Sequence, residues 1–170
     1  PLRQLKREVF NLTEIQPEPD GTLCLEKLSQ AIKEDTILVS IMLANNEIGV
    51  IQPLKQIALI CKNKGVTFHS DIAQAFGYIP FNIDSIGIDI CSLSAHKIYG
   101  PKGVGALIIN EEIPILPLQW GGGQEKGIRP GTPPVPLLIG MAKAAQIAIN
   151  DIDIRYNKFK KLRDQLLEGL

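Results

Sequence analysis

The residues best equipped for chemistry lie in three short strings. Ser94-Ala95-His96-Lys97-Ile98-Tyr99-Gly100-Pro101-Lys102-Gly103 sets a lysine between an apolar run and a Gly/Pro turn. If that run is a strand, Lys97 stands at its carboxyl end, the edge at which open α/β sheets bind ligands. An amine there can form a Schiff base with a carbonyl compound, provided its surroundings lower the cost of its neutral form. An isolated loop lysine is more often simply solvated. In His69-Ser70-Asp71-Ile72-Ala73-Gln74, Asp71 follows the preceding apolar run, 26 residues before Lys97. A carboxylate facing a ring nitrogen keeps that nitrogen protonated and lets the ring draw electrons. Taken singly, Asp71 reads as a helix N-cap. Neighbouring parallel strands would carry both residues into one crevice. The third string, Asn45-Asn46-Glu47-Ile48-Gly49, offers two amides able to hydrogen-bond a ring hydroxyl, or a turn that exploits asparagine's tolerance of left-handed backbone.

For these strings to meet, the apolar runs must be strands of one sheet. Thr36 to Ala44 (TILVSIMLA) is β-branched and apolar without alternation, which predicts a buried central strand. Val66 to His69, Asp89 to Leu93 and Val104 to Ile109 predict three more. Between them lie helical patterns. Leu25 to Lys33 has one apolar face through Leu25, Leu28 and Ile32. Pro53 opens a helix with Ile57, Ile60 and Cys61 on one face and Gly65 at its stop. Leu137 to Ile149 predicts an Ala-rich helix packed on the sheet. Arg155 to Leu167 predicts an amphipathic helix with Tyr156, Phe159, Leu162 and Leu166 on one side and a solvated basic face from Arg155 to Arg163. Residues 1–22, with Pro1, Pro17, Pro19 and Gly21, read as a connection with one short strand near Val9. Gly121 to Gly123 and Pro130 to Pro136 mark a long irregular stretch. The alternation predicts an α/β fold, a mainly parallel sheet with helices on both faces.

Composition narrows the function classes. The chain has 170 residues, 45% hydrophobic and 21% charged, the balance of a globular domain. Lys plus Arg and Asp plus Glu are both 18, so there is no net positive field to hold nucleic acid or an anionic membrane. Cys24, Cys61 and Cys91 are scattered and in no metal-type spacing, so reduced thiols and no metal site are expected. Cys61 and Cys91 are expected to pack, and Tyr99 and Trp120 likewise. His69 either flanks a ligand or is a partly buried structural histidine. No basic stretch followed by an apolar one opens the chain, so the expected compartment is the cytoplasm, or an organelle matrix in a eukaryote. Beginning at Pro1 and ending at Leu170 in or just past a helix, the chain reads as an internal segment of something longer.

Taken together and in order, ANNEIGVIQP, FHSDIAQAFGYIP, SLSAHKIYGPKGVGAL and GGGQEKGIRPGT resemble the cysteine desulfurases of iron–sulfur-cluster type, within the class V aminotransferase superfamily of pyridoxal-phosphate enzymes. The resemblance covers essentially the whole chain. It implies part of the large domain of a fold-type I enzyme over 1–136, and helices leading toward a further, C-terminal domain over 137–170. By position it assigns Lys97 as the catalytic lysine that carries pyridoxal 5'-phosphate, Asp71 as the partner of the pyridine nitrogen, and Gln74 as partner of the phenolic oxygen. Asn46 would contact the ring, Ser94 and His96 the phosphate, and Thr132 the phosphate of a partner subunit in a homodimer. The implied reaction converts L-cysteine to L-alanine and leaves sulfur as a persulfide on an enzyme cysteine, with an iron–sulfur scaffold or other acceptor protein as downstream partner.

The same resemblance places several parts outside residues 1–170: the N-terminal phosphate-binding turn, the histidine that stacks on the ring, the sulfur-accepting cysteine and the arginine that anchors substrate. None of the three cysteines here matches the acceptor's position. Two alternatives stand beside this reading. One is a catalytically inactive remnant or interaction module. The other is a different class V lyase, such as a selenocysteine lyase.

Overall fold

A computed structural model describes residues 2–7 and 9–170; Pro1, at the head of the expected connection, lies outside them. Ten named elements follow in chain order: α1 (Leu2–Leu5), α2 (Leu25–Ala31), β1 (Leu38–Ser40), α3 (Leu54–Asn63), β2 (Thr67–Asp71), α4 (Ile83–Ile86), β3 (Ile90–Ser94), β4 (Gly105–Ile109), α5 (Val135–Asn150) and α6 (Ile152–Glu168). Short 3-10 turns lie at Ala95–Ile98 and Glu125–Gly127. The four strands form one sheet in the order β1-β2-β3-β4. The first two pairings are parallel and β3 pairs antiparallel with β4, a mainly parallel α/β sheet as expected.

Strand alternation divides the sheet into two unlike faces. Val39, Phe68, Ser70, Cys91 and Leu93 are buried, while Ser40, His69, Asp71, Ser92 and Ser94 point the other way and keep access to solvent. On the buried side the strands meet Leu28 of α2 and Leu54, Ile57, Ala58 and Cys61 of α3 in one apolar cluster. Full burial of a side chain such as Phe68 or Ile57 contributes about 1.5–3 kcal/mol, and both are wholly inaccessible. The Ile57 and Cys61 face expected from the sequence is thus the one that docks α3. Gly65 follows at φ +65°, a left-handed turn that ends the helix before β2.

Two expectations are corrected. Among the described residues no strand forms near Val9. Leu2–Leu5 is helical, as four good helix formers favour, and Arg3 pairs with Glu14 through two guanidinium nitrogens. The apolar run from Thr36 to Ala44 yields only Leu38–Ser40 as strand, and it lies at the sheet edge rather than the centre, with Ile37 and Leu38 exposed. Its ladder nonetheless continues past Ser40: the amides of Ile41 and Leu43 donate to the carbonyls of His69 and Asp71. Ala44 and Ile51 then bridge across a tight turn.

The C-terminal helices close one end of the sheet. α5 makes its main contact with the 3-10 turn Ala95–Ile98 rather than with the strands. Ala148 is fully buried there, and a Cβ at Gly77 would stand 2.6 Å from the Ala148 Cβ and 3.4 Å from the Ile98 Cγ2. Gly77 has φ +79°, so both backbone conformation and space demand glycine. α6 keeps its expected apolar row of Tyr156, Phe159, Leu162 and Leu166 exposed. Among the described residues no single helix is long and apolar enough to cross a membrane.

Candidate functional site

The carboxyl ends of β2 and β3 lie side by side. Asp71, the last residue of β2, pairs with Ser92 in β3, and Ser94 follows on the same face. The chain then enters the 3-10 turn that carries His96 and Lys97. Antiparallel pairing of Ser94 with Gly105, and an Ala95 amide bonded to the Val104 carbonyl, pin the base of this loop. The edge arrangement read from the sequence is therefore present.

Asp71 is exposed, and its Oδ1 accepts the Ala73 amide at 2.8 Å. The expected capping role is real but local, because a run of turns rather than a helix follows. The second carboxylate oxygen has no intramolecular hydrogen bond among the described residues. Lys97 is half-buried, and among those residues its amine takes part in no ion pair. Gln74 is half-buried, and His96 is exposed.

The two asparagines separate into different roles. Asn45 Oδ1 accepts the Glu47 and Ile48 amides at 2.8 and 3.0 Å, which makes it the turn former. Asn46 is exposed at the turn's tip. Thr132 is exposed too. It lines a shallow depression with Trp120, Gly121, Gln124 and Pro130 that none of Asp71, Gln74 or Lys97 enters.

His69 lies across the open face of the sheet. Its Nδ1 is 2.8 Å from Ser40 Oγ in β1 and its Nε2 is 3.2 Å from Ser92 Oγ in β3, so one ring spans three strands. Burial holds its pKa below the ordinary imidazole value, and the nearby Asp71 carboxylate offsets part of that. A neutral ring with one donor and one acceptor nitrogen satisfies both serines.

Cys61 and Cys91 are buried, as expected, and burial pushes both thiols up to about 11, with Asp89 adding to the effect at Cys61. Neither supplies the exposed thiolate that sulfur transfer needs. Cys24 is half-exposed at the start of α2.

Sequence reasoning missed the aromatic group behind Lys97. Tyr78 donates its hydroxyl to the Lys97 carbonyl at 2.9 Å, and its ring lies 5.9 Å from that of Phe159. Burial, and then the neighbouring Tyr99 phenol, raise the Tyr78 pKa. Tyr99 and Trp120 are largely exposed rather than packed inside. Arg155 also departs from the solvated face expected of it, for it stacks over the Tyr99 ring at 5.5 Å from the centroid. Nothing in the sequence pattern marks these long-range contacts.

The profile of the aminotransferase class-V family matches residues 1–170, the entire chain. The chain belongs to that family. A class-V relative from Rickettsia africae, named cysteine desulfurase IscS, is 48% identical over 99% of this chain and 42% of its own length. A mitochondrial cysteine desulfurase of Eremothecium gossypii is 47% identical over 99% of this chain and 35% of its own length. Among solved structures, a NifS-like protein superposes with a TM-score of 0.95 at 41% identity, over 99% of this class-V chain and 47% of its own. The resemblance drawn from the four strings is borne out. The chain spans about two fifths of the length of the curated relatives it matches.

Proposed function

We propose that this chain is the cofactor-binding segment of a pyridoxal-phosphate-dependent cysteine desulfurase. Residues 1–136 would belong to its large domain and 137–170 to helices leading toward a further domain. The observation that carries the reading is the strand edge itself: Lys97 follows β3 with its amine in no ion pair among the described residues, and Asp71 ends the adjacent β2 with one oxygen free of hydrogen bonds among those residues. That donor set fits an aldehyde-bearing, pyridine-containing phosphate ester. Pyridoxal phosphate, when bound, supplies an electron sink for the bonds at the substrate's α-carbon.

The chain's own groups then take defined roles. Lys97 would hold the cofactor through its Nζ and would be the amine placed to carry a proton at the strand edge. The other carboxylate oxygen of Asp71 would hold a proton on the ring nitrogen. Gln74 and Asn46 orient the ring through their amides, and Ser94 and His96 offer donors to the phosphate. Thr132 would reach the phosphate of a partner subunit in a homodimer; its place in a depression that Asp71, Gln74 and Lys97 do not line supports this.

Overall, L-cysteine and an enzyme thiol give L-alanine and an enzyme persulfide. The C–S bond breaks, an S–S bond forms, and the thiol hydrogens are redistributed to carbon and sulfur without external oxidant. Neither buried thiol here serves as that acceptor. An iron–sulfur scaffold or another sulfur-accepting protein would take the sulfur onward, in the cytoplasm or an organelle matrix.

The test is covalent capture. The purified protein with pyridoxal phosphate should turn yellow, and borohydride followed by peptide mapping should find the label on Lys97. Lys97→Ala should abolish that label, and Lys102→Ala should leave it. Label retained elsewhere in Lys97→Ala would overturn the site assignment.

A further inference from the structure

The turn that carries Lys97 ends unusually. Tyr99, which caps it, has φ +64°, a left-handed conformation that is unfavourable for a residue with a Cβ. The amides of Tyr99 and Gly100 both donate to the Ala95 carbonyl. Among the described residues the Lys97 carbonyl is thus left without a backbone donor, as terminal carbonyls of short helices are. Tyr78 fills that gap from the turn after β2.

Tyr78 and Tyr99 are in turn gripped by one helix. Phe159 of α6 lies against the Tyr78 ring, with the two planes tilted by 39°. Arg155, one turn earlier on α6, covers the Tyr99 ring. The Arg155 Nη1 is buried and has no hydrogen-bond partner among the described residues, so the aromatic face is what answers its charge on that side. Two residues of α6 spaced by four thus hold the two tyrosines that bracket the lysine.

We propose that Tyr78 is a positioning residue for Lys97, and that α6 keeps it in place through Phe159 and Arg155. The inference rests on reading Lys97 as the reactive amine of the site. Rotation of the Lys97–Ile98 peptide would swing the lysine side chain away from the strand edge, and the phenol hydroxyl opposes that rotation. The segment 152–168, which holds no candidate site residue, thereby acts on the reactivity of one that does.

Competitive acetylation of the purified protein with trace acetic anhydride tests this without cofactor, using Lys102 in the same loop as internal standard. Tyr78→Phe removes only the hydroxyl and keeps the ring against Phe159. Labelling of Lys97 relative to Lys102 should rise about fivefold in Tyr78→Phe, the size of one neutral hydrogen bond. It should rise in Arg155→Ala as well and fall back toward the parent value in Arg155→Lys. An unchanged ratio in Tyr78→Phe and Arg155→Ala would overturn the proposal. So would loss of the far-ultraviolet circular dichroism of Tyr78→Phe, because the hydroxyl would then be holding the fold and not the lysine. Pyridoxal phosphate capture on Lys97 is measured in parallel. A shifted acetylation ratio in the two variants, with a parent that captures no cofactor, would sink the cofactor reading and support the positioning role.

Discussion

Replacing Gly77 by alanine measures how tightly α5 is seated against the lysine turn. At φ +79° the new Cβ meets a backbone penalty of about 1–2 kcal/mol. The methyl would also lie 2.6 Å from the Ala148 Cβ, far inside van der Waals contact, and overpacking of this kind costs about 1–3 kcal/mol. Together the expected loss is about 2–5 kcal/mol. The two parts are separable, because Ala148→Gly removes the opposing methyl but leaves φ unchanged. A double-mutant cycle over Gly77→Ala and Ala148→Gly should return a coupling energy of about 1–3 kcal/mol, with the backbone part remaining. Urea unfolding of the four proteins, followed by circular dichroism, reads each value. A Gly77→Ala protein within about 0.5 kcal/mol of the parent, or a coupling energy near zero, would refute the claim that this contact seats the helix.

Other perturbations probe the remaining parts. Ser70 Oγ is buried without a partner in the sheet's covered face, so Ser70→Ala should be neutral or stabilising by about 1 kcal/mol in the same urea experiment; a loss would reveal a bond the geometry does not contain. His69 has a folded pKa below the 6.5 of an exposed imidazole, so the unfolded chain takes up the proton first as pH falls. Its contribution to stability is complete above about pH 6.5 and is lost as pH falls through the folded value; His69→Asn should flatten that part of the urea-midpoint profile, and an unaltered slope would contradict the assignment. With the Cys61 and Cys91 thiols pushed up to about 11 by burial, iodoacetamide at mild pH should label Cys24 in the folded protein and the other two only in denaturant. Rapid labelling of Cys91 in folded protein would show that β3 opens.

What the sequence made legible was local or nearly so. Strand and helix periods located β2, β3, β4 and the docking face of α3, because burial acts on residues two or three to four positions apart. The strings of Asp71 and Lys97 were legible as strand ends for the same reason, whereas Asn45 and Asn46 lie in a turn beyond the end of β1. Rank within the sheet was not. An unbroken apolar run such as 36–44 reports two apolar faces and says nothing about how many strands pair with it, so β1 was expected in the centre and lies at the edge. Near Val9, helix propensity in Leu2–Leu5 and a charge pair between Arg3 and Glu14 outweigh the signal of a single β-branched residue. The contacts of His69 with Ser40 and Ser92, and of Tyr78 with Lys97, join residues 19 to 29 positions apart and follow from register and turn geometry that no pattern encodes.

The antiparallel return of β4 alongside β3 also bears on the order in which the molecule assembles. The parallel pairs must close crossovers through residues 41–66 and 72–89 before any ladder bond forms, whereas β3 and β4 are separated by residues 95–104 alone. Closing the shorter loop costs less chain entropy, and local pairings form sooner than distant ones. The hairpin is therefore the part of the sheet best able to nucleate, and Lys97 rides in its loop. In pulsed hydrogen exchange during refolding, the amides of Leu93, Ala95 and Ala106 should gain protection ahead of those of Ile41 and Leu43. The reactive turn would thus be shaped early by its own hairpin, and the first strand would come to rest on a sheet already half made.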